Sequence, residues 1–233
     1  MVKTNIHRKL YEYVEEEIGT KIITGVYPPG DTLPNEDALC SEFGVSKGVV
    51  REAIKVLNKK GLVQPRPKIG TLILPRSQWN LFDADVLSWK LKTGKKFDFL
   101  KKVTEVRRII ESEAVKIASC RATPEEIKKI RHLYDQMSIM LNSPSEYTYE
   151  KYLEIDMMFH TAILEASHNE LLAQIGHTIR NAVHAARRKD HQDIKFQMDV
   201  LPFHAAMLEA LETKDPEAAH TAARKMFEDV NKS

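Results

Sequence analysis

The chain has 233 residues, of which 42% are hydrophobic and 29% charged, and its formal net charge is +2. This length suits one or two domains, and the hydrophobic fraction is sufficient for buried cores. The chain lacks the apolar run of about 18 residues that a membrane-spanning helix needs, and its N-terminus, MVKTNIHRKL, lacks the apolar segment of a secretory signal. These features exclude a membrane protein and predict a cytoplasmic one.

The first predicted element is an amphipathic helix over residues 6–23. Its apolar residues recur every four positions, at Leu10, Val14, Ile18 and Ile22, which is helical spacing. The segment GVYPPG that follows is typical of a turn. We expect this helix to pack across the next two helices.

Two short helices joined by a tight corner are predicted within residues 33–61. Asn35 is a good N-cap for the first, Gly44 suits a left-handed residue at its end, and Ser46 is placed to cap the second. The second helix has one apolar stripe, formed by Val50, Ala53, Ile54 and Leu57. Its opposite face is basic, with Lys47, Arg51 and Lys55. This arrangement is typical of a helix-turn-helix.

A β-hairpin is predicted next, with strands at residues 62–64 and 71–74 around the loop PRPKIG. It would form the wing of a winged helix-turn-helix. Residues 44–78 contain a single acid, Glu52, and eight basic residues: Lys47, Arg51, Lys55, Lys59, Lys60, Arg66, Lys68 and Arg76. Because DNA affinity depends largely on phosphate neutralisation, this charge indicates DNA binding. The alternative is the solvated basic face of an ordinary exposed helix.

Residues 75–85 form the predicted linker. They include Trp79 and Phe82, which an exposed linker rarely carries so close together, so we expect the segment to dock on a domain. Asp83 or Asp85 is predicted to cap a short helix after it. The predicted domains are a winged head at residues 1–75, a linker with a docking helix at 76–96, and a helical domain at 97–233.

Beyond residue 97 the pattern is helical throughout. The sequence TPEE at 123–126 has the N-cap, the proline and the early acids of a strong helix start. We predict six or seven helices, with a charged loop at 190–193. The fold class is therefore mainly α: an N-terminal winged helix-turn-helix with a small β-hairpin, followed by an all-α bundle.

One helix of the bundle carries a candidate metal-binding pair, Asp156 and His160. At a spacing of four residues both side chains leave the same face of the helix. A carboxylate and an imidazole so placed can bind one metal ion. The alternative is an ordinary surface pair or a hydrogen bond in the core.

Long stretches of the chain resemble one family. LPNEDALCSEFGVSKGVVREAIKVLNKKGLV, at residues 33–63, resembles the DNA-binding domain of GntR-type bacterial transcription regulators. EVRRIIESEAVKIA, DMMFHTAILEASHNELL and FHAAMLEALETKDPEAA resemble the effector-binding FCD domain of the FadR-type branch. The resemblance implies the DNA-contacting residues Asn35, Ser46, Lys47, Gly48, Arg51, Lys68 and Gly70. Lys47 stands where the family usually has Arg, and Lys cannot make the bidentate guanine contact of Arg. This leaves Arg51 as the main candidate for reading a base.

The resemblance also implies a ligand site in the helical domain. Many members bind a divalent metal through an Asp and three His, which correspond here to Asp156, His160 and His204. Met226 stands at the fourth position, and a thioether is a poor ligand for zinc or a similar metal. The site is therefore predicted to bind such a metal through three residues, or else to bind the effector directly through His160 and His204.

Two further residues are matched to effector binding by the same resemblance. Arg107 corresponds to the Arg of the family's Glu-x-Arg motif, and a guanidinium forms a bidentate pair with a carboxylate. The alternative for Arg107 is an ordinary surface position. Asn169 corresponds to a helix-end Asn, for which capping the next helix is the competing role.

The predicted function is that of a homodimeric transcription repressor, not an enzyme. Identical subunits would bind a palindromic duplex DNA operator, and a small organic acid would release them. SQWNLFDADVLSWKL, at residues 77–91, resembles galactonate-responsive repressors, which implies a sugar-acid effector. The alternatives are a metal-dependent hydrolase or isomerase, and a metal-sensing regulator without an organic effector.

Overall fold

The computed structural model describes residues 2–92, 96–143, 145, 147–186 and 194–230. The chain divides into two compact units, Met1–Lys96 and Phe97–Ser233. None of the helices in the described ranges is both long and apolar enough to cross a membrane.

In its described residues the first unit contains four α-helices, a short 3-10 helix (Arg76–Gln78) and a two-stranded antiparallel sheet. The α-helices and strands are α1 (Val2–Thr24), α2 (Glu36–Phe43), α3 (Lys47–Lys59), β1 (Val63–Arg66), β2 (Gly70–Ile73) and α4 (Ala84–Lys92). Val14, Ile18 and Ile22 of α1 are completely buried against the apolar stripe of α3. Leu10, the first residue of the predicted stripe on α1, is 39% exposed.

The corner between α2 and α3 forms as predicted. Asn35 Oδ1 accepts a hydrogen bond from the Ala38 backbone N–H at 2.9 Å, and Gly44 has a left-handed φ of 65°. Ser46 occupies the N-cap position of α3 without a side-chain capping bond. The predicted winged helix-turn-helix is therefore confirmed at this corner.

The wing is tighter than predicted. Arg66 pairs with Gly70 across the hairpin, so the turn contains only residues 67–69. The predicted loop over 65–70 was too long because Lys68 and Gly70 both have positive φ, at 65° and 110°. This left-handed backbone reverses the chain within three residues.

The segment after the wing packs into the core of the first unit through Trp79, one of its two aromatic residues. Trp79 is 6% exposed, and its Nε1–H donates to the Leu74 carbonyl at 2.9 Å. Phe82 is 58% exposed and does not contribute to this core. Asp83 caps α4 by accepting from the Val86 backbone N–H.

The second unit contains six helices in the described ranges. They are α5 (Lys96–Arg121), α6 (Pro124–Asn142), α7 (Tyr149–Ala166), α8 (Glu170–Ala186), α9 (Ile194–Glu212) and α10 (Pro216–Val230). The predicted start of α6 forms a complete capping box between Thr123 and Glu126. The predicted loop at 190–193 lies outside the described residues. Helices α5, α6, α7, α9 and α10 contribute to one apolar core, and α8 packs with α5 and α7 around a smaller one.

Candidate functional sites

The exposed face of α3 presents the predicted basic residues. The side chains of Lys47, Arg51 and Lys55 are 53%, 66% and 62% exposed. The apolar stripe on the opposite face is buried in the unit's core. The two faces of the helix are therefore separated as the sequence predicted.

Two acids of α2 contact this basic face. Glu36 forms an ion pair with Arg51, and Asp37 forms one with Lys47 at 2.7 Å. The hydrogen bond from Arg51 lowers the pKa of Glu36, and the hydrogen bond to Asp37 raises the pKa of Lys47. Sequence reasoning did not foresee that these two acids would contact the next helix.

The other predicted DNA-contacting residues occupy the corner and the wing. Asn35 is engaged in capping α2, and Gly48 lies in the first turn of α3 with open space around it. Lys68 and Gly70 are exposed in the wing.

One of the eight basic residues, Lys60, is buried rather than exposed. Lys60 is 7% exposed, and its Nζ contacts Asp83 at 2.8 Å, Asp85 at 2.6 Å and Glu15 at 3.4 Å. Burial by itself would lower the pKa of Lys60, but the hydrogen bonds to Asp83 and Asp85 outweigh it and raise the pKa. The charge of Lys60 is thus neutralised within the unit and is not available to DNA phosphates.

In the second unit, Asp156, His160 and His204 come together as predicted. His160 Nε2 lies 3.0 Å from His204 Nε2, and Asp156 Oδ1 lies 3.2 Å from His204 Nε2 and 3.6 Å from His160 Nε2. All three residues are buried, and each can direct a ligand atom to one point. In the described part of the chain this is the one such group.

The three donor atoms fit a metal ion. Bonds of about 2.0–2.2 Å to a tetrahedral Zn²⁺ place neighbouring donor atoms roughly 3.3–3.6 Å apart, close to the separations of 3.0, 3.2 and 3.6 Å between the three donor atoms. The Nδ1 of His160 faces Glu111 Oε2 at 3.5 Å, which is the kind of outer carboxylate that orients metal-binding histidines. Met226 is buried in the apolar core formed with Phe159. The protein therefore offers three ligands, and a fourth position would be open to water or an effector oxygen.

Two buried arginines and Glu111 surround this group. Arg180 donates to Glu111 Oε2 at 2.7 Å through Nη1 and to Asp156 Oδ2 at 3.0 Å through Nη2. Arg107 donates to Glu111 Oε1 at 2.7 Å and lies over the ring of Phe227. We name these six residues the polar cluster: Arg107, Glu111, Asp156, His160, Arg180 and His204.

The surrounding charges set the protonation of the polar cluster. Burial and the nearby charge of Arg180 lower the pKa of His160 to about 4, so its ring nitrogen is neutral at pH 7 and suited to metal binding. Burial would raise the pKa of Glu111, but Arg107 and Arg180 outweigh it and lower the pKa to about 2. Burial likewise opposes the charge on Asp156, but the imidazoles and Arg180 around it hold its pKa well below the usual range.

Two members of the polar cluster, Glu111 and Arg180, were missed by sequence reasoning. Glu111 follows Arg107 by four residues on one helix, which is a readable signal for an ion pair. Arg180 offers no comparable signal, because its partners lie 24 and 69 residues away.

The structure also distinguishes the competing roles of Arg107 and Asn169. Arg107 is 8% exposed, so the surface alternative is wrong. Asn169 is exposed, and its Oδ1 accepts from the Leu172 backbone N–H at 3.2 Å. That bond caps the start of α8, which is the role that competed with effector binding for Asn169.

A winged head with a basic face, followed by a helical bundle with a buried polar cluster, is the architecture of a two-domain transcription regulator. The chain belongs to the GntR family of bacterial regulatory proteins, whose profile matches residues 10–73, and its second unit matches the FCD domain over residues 102–229. This places it in the FadR-type branch of the family.

Relatives cover nearly the whole chain. It is 31% identical over 211 residues to the galactonate operon transcriptional repressor of Escherichia coli K12, with 90% of each chain covered. It is 30% identical over 225 residues to the HTH-type transcriptional regulator YieP of the same strain, covering 97% of this chain and 95% of YieP. The Uxu operon transcriptional regulator of that strain is 30% identical, with 94% of this chain and 84% of the regulator covered. The relatives are regulators, so the alternative of a metal-dependent hydrolase or isomerase is wrong.

The fold is shared with solved structures. Lar, which controls the expression of the Listeria monocytogenes agr system, superposes with a TM-score of 0.63 at 18% identity and 94% coverage of both chains. The GntR protein of Streptococcus agalactiae superposes with a TM-score of 0.54 at 22% identity, covering 95% of this chain and 99% of the other. At these identities the likeness is one of fold.

Proposed function

We propose that this chain is a repressor that leaves its operator when a small carboxylate, such as a sugar acid, binds beside the polar cluster. The observation that carries the proposal is the placement of Arg107 and Arg180, two buried guanidinium groups, inside the helical bundle. Buried charges of this kind are costly and are typical of ligand sites. The galactonate and Uxu operon regulators among its relatives support a sugar acid as the ligand.

The proposal assigns DNA binding to the first unit. Residues 1–75 would form the DNA-binding head, 76–96 a linker with a docking helix, and 97–233 the effector domain. The residues proposed to contact DNA are Ser46, Lys47, Gly48, Arg51, Lys68 and Gly70, with Asn35 fixing the corner. We place the protein in the bacterial cytoplasm as a homodimer, because two identical heads suit a palindromic operator.

A divalent metal, zinc or similar, is the second part of the proposal. The charges of Arg107 and Arg180 are balanced by those of Glu111 and Asp156. A divalent ion on Asp156, His160 and His204 would make the cluster positive. It would thereby attract an anionic effector and complete its own coordination with an effector oxygen.

Effector release gives the first prediction. Protein bound to a fluorescent duplex, selected from a random library by the wild type, is titrated with aldonates, uronates and dicarboxylates, starting with D-galactonate. We expect an acid to lower the fluorescence anisotropy as the duplex is released. In Arg107→Met the acid concentration for half release should rise about 10–100-fold, because a charge-assisted hydrogen bond to the carboxylate is lost. DNA affinity without acid should stay at the wild-type value.

The neighbouring Arg108→Met is the matched control. Arg108 is partly exposed and faces Glu228 at 3.7 Å, outside the polar cluster. It should respond to acid as the wild type does. If no acid releases the duplex while Zn²⁺ alone does, the chain is a metal sensor and the organic effector is wrong.

Metal binding gives the second prediction. Chelator-treated protein titrated with Zn²⁺ in a calorimeter should bind one ion per chain. His204→Ala should weaken binding more than about 100-fold, since removal of even an outer-shell partner of a metal site costs about 10–100-fold. His168→Ala, which alters an exposed histidine paired with Glu126, should bind as the wild type does. Equal binding by the wild type and His204→Ala would contradict the metal site.

A further inference from the structure

We propose that Glu36 is a positioning residue for DNA reading: it holds one edge of the Arg51 guanidinium and leaves the other edge for a guanine. The proposal rests on the DNA-binding role of the head. It gives Glu36 a function, since an acidic residue is unexpected on a surface that binds DNA phosphates.

The contact between the two residues is specific to one edge of Arg51. Arg51 Nε lies 3.0 Å from both carboxylate oxygens of Glu36, and Arg51 Nη2 lies 2.9 Å from Oε2. A guanidinium has a side edge, formed by Nε and one Nη, and an end edge, formed by the two Nη atoms. Glu36 therefore occupies the side edge, and none of the contacts described for Arg51 involves Nη1.

The backbone fixes this arrangement. Glu36 is the first residue of α2, directly after the N-cap Asn35, and Gly44 sets the corner that brings α2 against α3. Arg51 lies one turn into α3, on its exposed face. Both side chains are thus attached to rigid helices. The long side chain of Arg51, which would otherwise be mobile, is held in one direction by Glu36.

The end edge of Arg51 matches guanine. Guanine presents its O6 and N7 acceptors side by side in the major groove, and a bidentate Arg is their commonest partner. The carboxylate beside Arg51 also repels phosphate groups, whose contacts carry no sequence information. Glu36 would therefore favour contacts to bases over contacts to the phosphate backbone. Such an unfavourable element increases specificity by weakening the contacts that carry no sequence information.

The neighbouring acid provides a contrast. Asp37 is 76% exposed and contacts Lys47 through a single oxygen. An ammonium group is a point charge without two planar edges, so Asp37 cannot orient it as Glu36 orients Arg51. Asp37→Asn therefore removes the same charge from the same helical turn and leaves the hold on Arg51 intact.

The test measures discrimination as well as affinity. Wild type, Glu36→Gln, Asp37→Asn, Arg51→Ala and the double variant Glu36→Gln/Arg51→Ala are titrated against the selected duplex. The same titrations use duplexes in which each guanine of the half-site is replaced, at several salt concentrations. Thermal melting of each variant confirms that it is folded.

We expect Glu36→Gln to bind unrelated duplexes more tightly and to lose about 3–10-fold of its discrimination at one guanine, a part of the discrimination that a bidentate Arg provides. Asp37→Asn should strengthen binding to all duplexes equally and keep the discrimination. In the Arg51→Ala background, Glu36→Gln should change the discrimination no further, because the two residues act as one unit.

Each other result overturns a distinct statement. If Glu36→Gln and Asp37→Asn both change all affinities in parallel, Glu36 acts as a charge and the positioning role is wrong. If Arg51→Ala discriminates like the wild type, Arg51 does not read a base and the positioning role fails with it. If the wild type selects no duplex at all, the proposed operator binding fails instead.

Discussion

Arg180→Met is expected to lower the free energy of unfolding of the second unit by about 3–5 kcal/mol, because removing one member of a buried ion-pair network leaves its partners uncompensated. Arg180 is 3% exposed and bridges Glu111 and Asp156, which are also buried. Urea denaturation followed by circular dichroism at pH 7 measures the loss.

The matched control for this change is Arg131→Met. Arg131 pairs with Glu212, but its side chain is 51% exposed, and exposed pairs contribute about 0–1 kcal/mol. The two substitutions remove the same charge and similar volume from the same unit. Comparable losses in both variants would show that the burial of Arg180 does not decide its contribution.

The loss in Arg180→Met should depend on pH. The pKa of Glu111 is about 2 in the folded protein, against an ordinary value of 4.5. A carboxyl whose folded pKa is depressed stabilises fully above its unfolded pKa and loses this contribution as pH falls toward the folded value. The difference between wild type and variant should therefore be largest near pH 7 and shrink below about pH 4.5.

Gly19→Ala is expected to destabilise the first unit by up to about 2 kcal/mol, because overpacking a core costs about 1–3 kcal/mol and alanine returns about 1 kcal/mol in helix propensity. A Cβ at Gly19 would lie 2.3 Å from a ring carbon of Trp89, so the indole of α4 would have to move off α1. Thermal melting, with the indole fluorescence as the probe, measures the net effect.

Gly48→Ala makes the same substitution in α3, at a position where the added Cβ has space. A Cβ there would meet only the Ser46 hydroxyl at 3.8 Å, so the helix propensity gain should remain and melting temperature should rise. Opposite signs for the two glycines are the expected result. Stabilisation of the protein by Gly19→Ala would contradict the close contact between α1 and α4.

The elements were predictable from the sequence wherever their determinants are local. The N-cap Asn35, the left-handed Gly44 and the capping box at Thr123 depend on residues within one helical turn, and all three form. The wing was predicted with too long a loop, because the left-handed backbone of Lys68 carries no sequence signal as strong as that of a glycine. The burial of Trp79 and the exposure of Phe82 were likewise not predictable, because they depend on how the segment after the wing packs against the rest of the first unit.

The polar cluster was predictable in part for the same reason. Asp156 and His160 stand four apart on one helix, and the family resemblance added His204 and Arg107. Arg180 was missed because only the packing of α8 against α5 and α7 brings it to Glu111 and Asp156. The contact of Glu36 with Arg51 depends in the same way on the angle between α2 and α3.

The docking of α4 has a consequence for how the protein is made. Val86 and Trp89 belong to the same apolar core as Val14 and Ile18, and Lys60 is bound to Asp83 and Asp85. N-terminal domains fold first as the chain leaves the ribosome. Here the first unit cannot complete its core when the wing has emerged from the ribosome. Trp89, which covers Gly19, and the carboxylates of Asp83 and Asp85, which neutralise Lys60, are translated later. The nascent head therefore keeps an uncovered apolar surface on α1 until α4 has emerged from the exit tunnel.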